Sequence, residues 1–268
     1  SILESGYPKE AGVFMLKGDI LLDVQATNEA FAAYQRSVEL DPGQLEVWSW
    51  LLDAYIGEQK WEEGLLTANE ALELYPSYPA LYLQKSYMHM GMDQYTEAIA
   101  ALKMGEVLVF DDPFLQAQMN GELGRAYHMI EDYVNSDKHF AIAIKKDGNN
   151  AYLLNNYAYY LSEREDQLEQ AAELSSKSNS LQPGTATFED TRGWIFYKKG
   201  EYDQAKTWLE KAVQNSNEED GVILEHYGDT LFQLGMKDQA LEFWKKAQAT
   251  GGASHLIDLK VADGQLHE

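Results

Sequence analysis

Three prolines set the terms on which this chain can fold: Pro8, Pro42 and Pro76 recur at intervals of 34 residues. A fixed period of that length marks a chain built from one supersecondary unit used repeatedly, each burying its apolar side against the next. When each unit is numbered so that the proline is position 32, other residues fall into line. Trp48, Leu51, Tyr55 and Ala71 stand at 4, 7, 11 and 27 of the second unit. Leu123, Gly124, Tyr127, Phe140 and Ala143 occupy 7, 8, 11, 24 and 27 of the fourth. Tyr227, Gly228, Leu231, Ala240, Trp244 and Ala247 occupy 7, 8, 11, 20, 24 and 27 of the seventh. Large residues at 4, 7 and 11 form an apolar stripe at helical spacing. Small residues at 8 and 20 let a second helix approach closely, and 24 and 27 carry the buried stripe of that helix. The proline then stops it and turns the chain toward the next unit.

The pattern resembles the tetratricopeptide (TPR) repeat, and the resemblance covers nearly the whole chain. It implies an all-α fold, a right-handed α-α superhelix (TPR solenoid) of about seven repeats. The units run over about 11–44, 45–78, 79–112, 113–150, 151–185, 186–220 and 221–254. Residues 1–10 read as the end of a preceding repeat, so the array is expected to extend N-terminally. After Gly251-Gly252, Leu256, Ile257, Leu259 and Val261 stand among polar residues. A solenoid must end in an element with a polar outer face, so 255–268 reads as a capping helix and tail. A partner-binding tail is the alternative. Three units depart from the pattern. In the third, Gln84 and Ser86 compete for the small position. In the fourth, about four residues too long, Asp112-Pro113 reads as a helix start and the first helix gains a turn. In the first, Lys17 stands at the normally apolar position 7, which suggests a partly exposed edge.

The chain carries 21 Lys and Arg against 44 Asp and Glu, a net charge of -23. Such a surface repels phosphate backbones and anionic lipid headgroups, which argues against nucleic acid and electrostatic membrane docking. The basic pairs Lys145-Lys146, Lys198-Lys199 and Lys245-Lys246 read as solvated helix faces. No stretch approaches the roughly 20 apolar residues of a membrane span. There is no cysteine, hence no disulfide, thiolate metal site or thiol nucleophile. None of the six histidines pairs with another at a zinc-ligand spacing. A phosphate loop, a metalloprotease motif and a nucleophile elbow are all missing. The expectation is therefore a non-enzyme with no metal and no cofactor.

In TPR proteins the first helices line a concave face, and the resemblance places ligands at positions 2, 5, 9, 12 and 13, with 6 nearby. These lie off the buried stripe, so packing does not dictate them. In the first half of the array they are acidic and undistinguished, as at Asp19, Glu46, Asp53 and Glu122, beside Arg125. The last three units differ. They present Asn155, Asn156 and Tyr159, then Asp190, Thr191, Trp194 and Tyr197, then Glu225, His226, Asp229 and Phe232. Positions 5, 6 and 9 make three adjacent rungs. As a site, amides and carboxylates would fix a ligand while Trp194, Tyr159 and Tyr197 supply flat apolar surface. Alternatively the groups bond to one another, Asp190 to His226 and Asn156 to the next unit, and lock the stack.

Chaperone-binding members of the family clamp a peptide's carboxylate with Lys, Asn and Arg. Here the equivalent positions are acidic or neutral and Arg125 stands alone, so an acidic peptide is not expected. The leading expectation is a protein-interaction scaffold that takes a neutral or basic peptide or protein segment on the concave face. A glycan-binding module is the second, a purely architectural subunit the third; self-association stays open. Similar Asn-Asn, Asp-Thr-Gly-Trp and His-Gly-Asp sequences close the arrays of many bacterial TPR proteins, including envelope lipoproteins. That likeness implies a bacterial periplasmic or outer-membrane-associated setting, while the residues themselves leave the compartment open, the cytoplasm included.

Overall fold

The computed structural model describes residues 11–216 and 219–267, so the expected repeat end at 1–10 lies outside the described residues. All regular secondary structure among them is helical. The described helices form two compact units, one ending at Lys146 and the other beginning at Asp147.

The N-terminal unit holds α1 (Ala11–Asp23), α2 (Thr27–Leu40), α3 (Leu45–Gly57), α4 (Trp61–Leu74), α5 (Pro79–Gly91), α6 (Tyr95–Glu106), α7 (Pro113–Met129) and α8 (Tyr133–Lys146). The C-terminal unit holds α9 (Ala151–Glu163), α10 (Leu168–Leu181), α11 (Ala186–Lys198), α12 (Tyr202–Asn215), α13 (Gly221–Gln233), α14 (Lys237–Thr250) and α15 (Ile257–Asp263). Each odd-numbered helix from α1 to α13 pairs with the helix after it. Helix α7, with 17 residues, is the longest among the described residues, and Asp112 caps it by accepting from the Leu115 N–H at 2.9 Å.

The pairing follows from the small residue at position 8. A Cβ on Gly124 would lie 2.7 Å from the Phe140 ring, and one on Gly228 would lie 2.6 Å from Trp244. Both rings belong to position 24, so glycine on the first helix makes room for the largest residue of the second. Seven turns join first to second helices, and each puts its position-15 residue in left-handed backbone. These residues are Gln25, Gln59, Asp93, Glu131, Glu165, Gly200 and Gly235, with φ from 52° to 78°. Five of them carry a side chain and accept roughly 1–2 kcal/mol of strain each, which the packed hairpin imposes on them.

The ambiguity in the third unit resolves in favour of Ser86. It is fully buried in α5, whereas Gln84 reaches sideways to Ser49 and Asp53 on α3. Within each unit consecutive first helices pack on one another, α3 on α5 and α5 on α7, then α9 on α11 and α11 on α13. Consecutive second helices make no comparable contact. The first helices therefore line the inner side of each stack. Helix α15 is shorter than the segment expected to form it. Gly251 and Gly252 both have positive φ, which breaks the chain away from α14 before a seven-residue helix begins.

Candidate functional site

The ten candidate residues all belong to α9, α11 and α13 of the C-terminal unit. Their positions on the inner side come from the same periodicity that buries positions 4, 7 and 11. On the middle rung, Asp190 Oδ1 lies 2.9 Å from His226 Nδ1, and both side chains are buried. The Trp194 ring stacks on His226 (centroids 3.9 Å apart, 12° between planes) and on Tyr197 (4.6 Å, 7°). Its indole N–H donates to Glu163 Oε1 at 2.7 Å. Thr191 donates to the carbonyl of Thr187 in its own helix. Thus α9, α11 and α13 are joined by Glu163–Trp194–His226–Asp190.

The flat surface expected of Trp194 and Tyr197 is mostly covered in the fold, although Trp194 still borders a cavity. The two residues are 7% and 4% exposed because each covers the other. Tyr159 is half-buried and Asn156 exposed, while buried Asn155 leaves its Oδ1 without a hydrogen bond. Phe232 stacks on Trp244.

The last rung holds an arrangement that the periodicity did not signal. Lys260, from α15, is 3% exposed, and its ammonium sits between two buried carboxylates. Nζ lies 2.8 Å from Glu225 Oε1 and 2.8 and 2.7 Å from the oxygens of Asp229. Glu225 also accepts the backbone N–H and the hydroxyl of Ser254, each at 2.6 Å. Asp229 takes the indole N–H of Trp244 at 2.8 Å. The C-terminal segment is therefore seated on the inner side of the last repeat. Beside it a cavity of about 380 Å³ opens, walled by Tyr159, Glu163, Trp194 and Lys198 on one side and by Ser254 and Leu256 on the other. Glu163 and Lys198 stand at position 13 of their units, among the positions a TPR groove uses, and that spacing was the available signal for them. For Ser254 and Lys260 there was none.

Charges in the cluster shift in a consistent way. Burial pushes the Asp229 carboxyl up to about 6, against the pull of Lys260, His226 and Trp244. Glu225 is held below its ordinary range: burial opposes this, but Lys260 and Ser254 together outweigh it. For His226 burial is the largest influence and lowers the imidazole, yet Asp190, Asp229 and Glu163 together raise it above 6.5. A histidine raised on folding contributes stability that is full below about 6.5 and is lost as pH climbs through the folded value. We therefore expect the C-terminal unit to lose urea resistance as pH rises above about 6.5, and Asp190→Asn to flatten that slope. Proton NMR of the His226 ring tests the cause, since a midpoint below 6.5 in the unmodified chain would rule it out.

Among the described residues no group of His, Asp and Glu is placed to hold a metal ion. No helix there is long and apolar enough to cross a membrane.

Stacked antiparallel helix pairs, with first helices lining the inner side, define a helical-repeat interaction protein. The tetratricopeptide repeat family matches residues 11–44 and 191–218. A TPR repeat-containing protein of Pseudomonas aeruginosa is 31% identical over 83 residues, which are 31% of this chain and only 14% of that protein's length. The crystal structure of a tetratricopeptide repeat protein from Parabacteroides merdae aligns with a TM-score of 0.74 at 14% identity, covering 94% of this chain and 97% of that one. PilW, a widely conserved type IV pilus biogenesis factor, aligns with a TM-score of 0.70 at 15% identity over 82% of this chain and 99% of that one. The fold is that of a tetratricopeptide-repeat solenoid, and two stretches of the chain match the repeat itself. Proteins of this fold are in general non-catalytic scaffolds for protein–protein interaction.

Proposed function

We propose that this chain receives a segment of another protein along the inner side of its C-terminal unit, next to its own C-terminal segment. The observation that carries this reading is the seating of Ser254 and Lys260 on Glu225 and Asp229. That surface already accepts polypeptide, through both a backbone N–H and a side-chain cation. The cavity continues from it toward Tyr159, Glu163 and Lys198. Burial and the neighbouring Glu163 carboxylate hold the Tyr159 phenol above its ordinary value, so it stays a neutral donor there. A glycan would need an open ring face, and the mutual stacking of Trp194 and Tyr197 withholds two of the three aromatics assigned to that role. This favours the peptide reading, and with the prevailing acidity it favours a neutral or basic segment. A bacterial envelope setting belongs to the same proposal, to be checked by cell fractionation.

The test uses Tyr159→Ala, at the wall of the cavity, and Asn156→Ala, at an exposed position of the same helix; both leave the buried cluster intact. Partner capture by pull-down should fall about tenfold for Tyr159→Ala, while the helical circular dichroism signal is unchanged. Capture that persists undiminished in both variants would place the interaction elsewhere.

A further inference from the structure

The acidic first half of the array contains a cavity of its own. About 490 Å³ in volume, it opens among α1, α2 and α3 and is lined in part by Asp19, Leu22, Tyr34, Trp50, Asp53 and Glu58. Trp50 is 40% exposed for so large a ring, and it faces the buried Tyr34 ring at 6.4 Å with 52° between planes. The Tyr34 hydroxyl donates to Asp19 Oδ1 at 2.7 Å, and the Gln84 amide donates to Asp53 Oδ1 at 2.7 Å. Each carboxylate is thereby oriented through one oxygen, and Oδ2 of each has no such bond among the described residues. Among the described residues that line the cavity there is no lysine or arginine.

The seventh repeat indicates what such a carboxylate takes. Asp19, Asp53 and Asp229 all occupy position 9 of their first helices. In the seventh repeat the position-9 carboxylate binds the Lys260 ammonium at 2.7 Å. In the first two repeats the same position faces a cavity, with an aromatic wall in addition. We propose that this cavity binds the side chain of a lysine from a basic segment of a partner protein, a site independent of the groove in the C-terminal unit. The ammonium lies between Asp19 and Asp53, with Glu58 at the mouth. The four-carbon stem runs along Trp50, Leu22 and Ala54, the arrangement in which a long cationic side chain buries its stem while its charge stays paired. The indole adds cation–π attraction. Asp53 and Glu58 are exposed, so this is an open groove lined by one sign of charge, which attracts the incoming ammonium and is screened by salt.

The test is an NMR titration of the isotope-labelled chain, following the Trp50 indole N–H, which Trp50→Phe assigns. The probes are Nα-acetyl-lysine methylamide, its Nε-acetylated analogue, 1,5-diaminopentane and the capped pentapeptide Gly-Leu-Lys-Leu-Gly. The lysine probe should shift the Trp50 signal saturably, and Nε-acetylation should weaken it by about tenfold or more. The Asp19→Asn/Asp53→Asn double variant should show a similar loss, with its fold checked by circular dichroism. Should that variant not fold, Glu58→Gln, which lies at the surface, takes its place and should weaken the lysine probe about twofold. Equal binding of the acetylated probe, or titration of the folded carboxylate variant like the unmodified chain, would overturn the site. The pentapeptide should bind more tightly than diaminopentane, and the reverse order would overturn a protein source for the ammonium.

Discussion

Lys260→Met is expected to weaken the C-terminal unit by about 3–5 kcal/mol, the usual cost of removing one partner from a buried ion pair. Most of that cost is not the lost attraction. The substitution leaves Glu225 and Asp229, both buried, facing each other across the space their shared cation occupied. Two carboxylates so placed must take up protons or draw in water, and either change unseats α15. Helix α15 brings few apolar anchors of its own, mainly Ile257, with half-buried Val261 alongside, so it has little else to hold it. The triple variant Lys260→Met/Glu225→Gln/Asp229→Asn separates the explanations. With the charges neutralised it should recover much of the loss, because a pair removed together leaves no uncompensated ion. Urea midpoints and amide exchange along α15 read both effects. A single variant within about 0.5 kcal/mol of the unmodified chain would mean that water already reaches these carboxylates.

Parts of this arrangement can be read from the sequence because they repeat. Position 8 is glycine where position 24 is Phe140 or Trp244, and one hairpin geometry satisfies both, so spacing alone brings out the pairing. The Asp190–His226 bond is legible for the same reason: the residues lie one repeat apart on neighbouring first helices. What does not repeat is hidden. Lys260 reaches Asp229 only because Gly251 and Gly252 turn the chain through backbone that other residues avoid, after the period has ended. The openness of Trp50 is equally invisible. Position 6 is covered at Gln84 and Thr191 and uncovered at Trp50, a difference that the repeat position does not encode. Periodicity reports which face a residue is on. It does not report whether another element will cover that face, and for this reason Trp194 and Tyr197 read as open surface when they are stacked.

Trp194→Ala is the sharpest test of that last point, because it sets the two roles of one residue against each other. As a groove residue Trp194 would be dispensable to the fold. As the structure places it, its ring lies against His226 and Tyr197, and its N–H holds Glu163 of α9. Removing the indole opens a void at the contact between α9, α11 and α13, and it deprives the raised His226 of its stacking partner. The expected loss is about 3–5 kcal/mol, the range for large aromatic residues cut to alanine in a core. For a chain of this size that corresponds to a melting temperature lower by roughly 10 °C. Near-ultraviolet circular dichroism should change with it, since the aromatic stack that gives the signal is dispersed. Tyr159→Ala, half-buried at the groove margin, should cost only about 1 kcal/mol. The two variants are therefore expected to differ in stability while both reduce partner capture, Trp194→Ala through the fold and Tyr159→Ala at the contact itself. If Trp194→Ala instead melts with the unmodified chain and still loses its partner, the stack opens in solution and the indole is a ligand-facing surface.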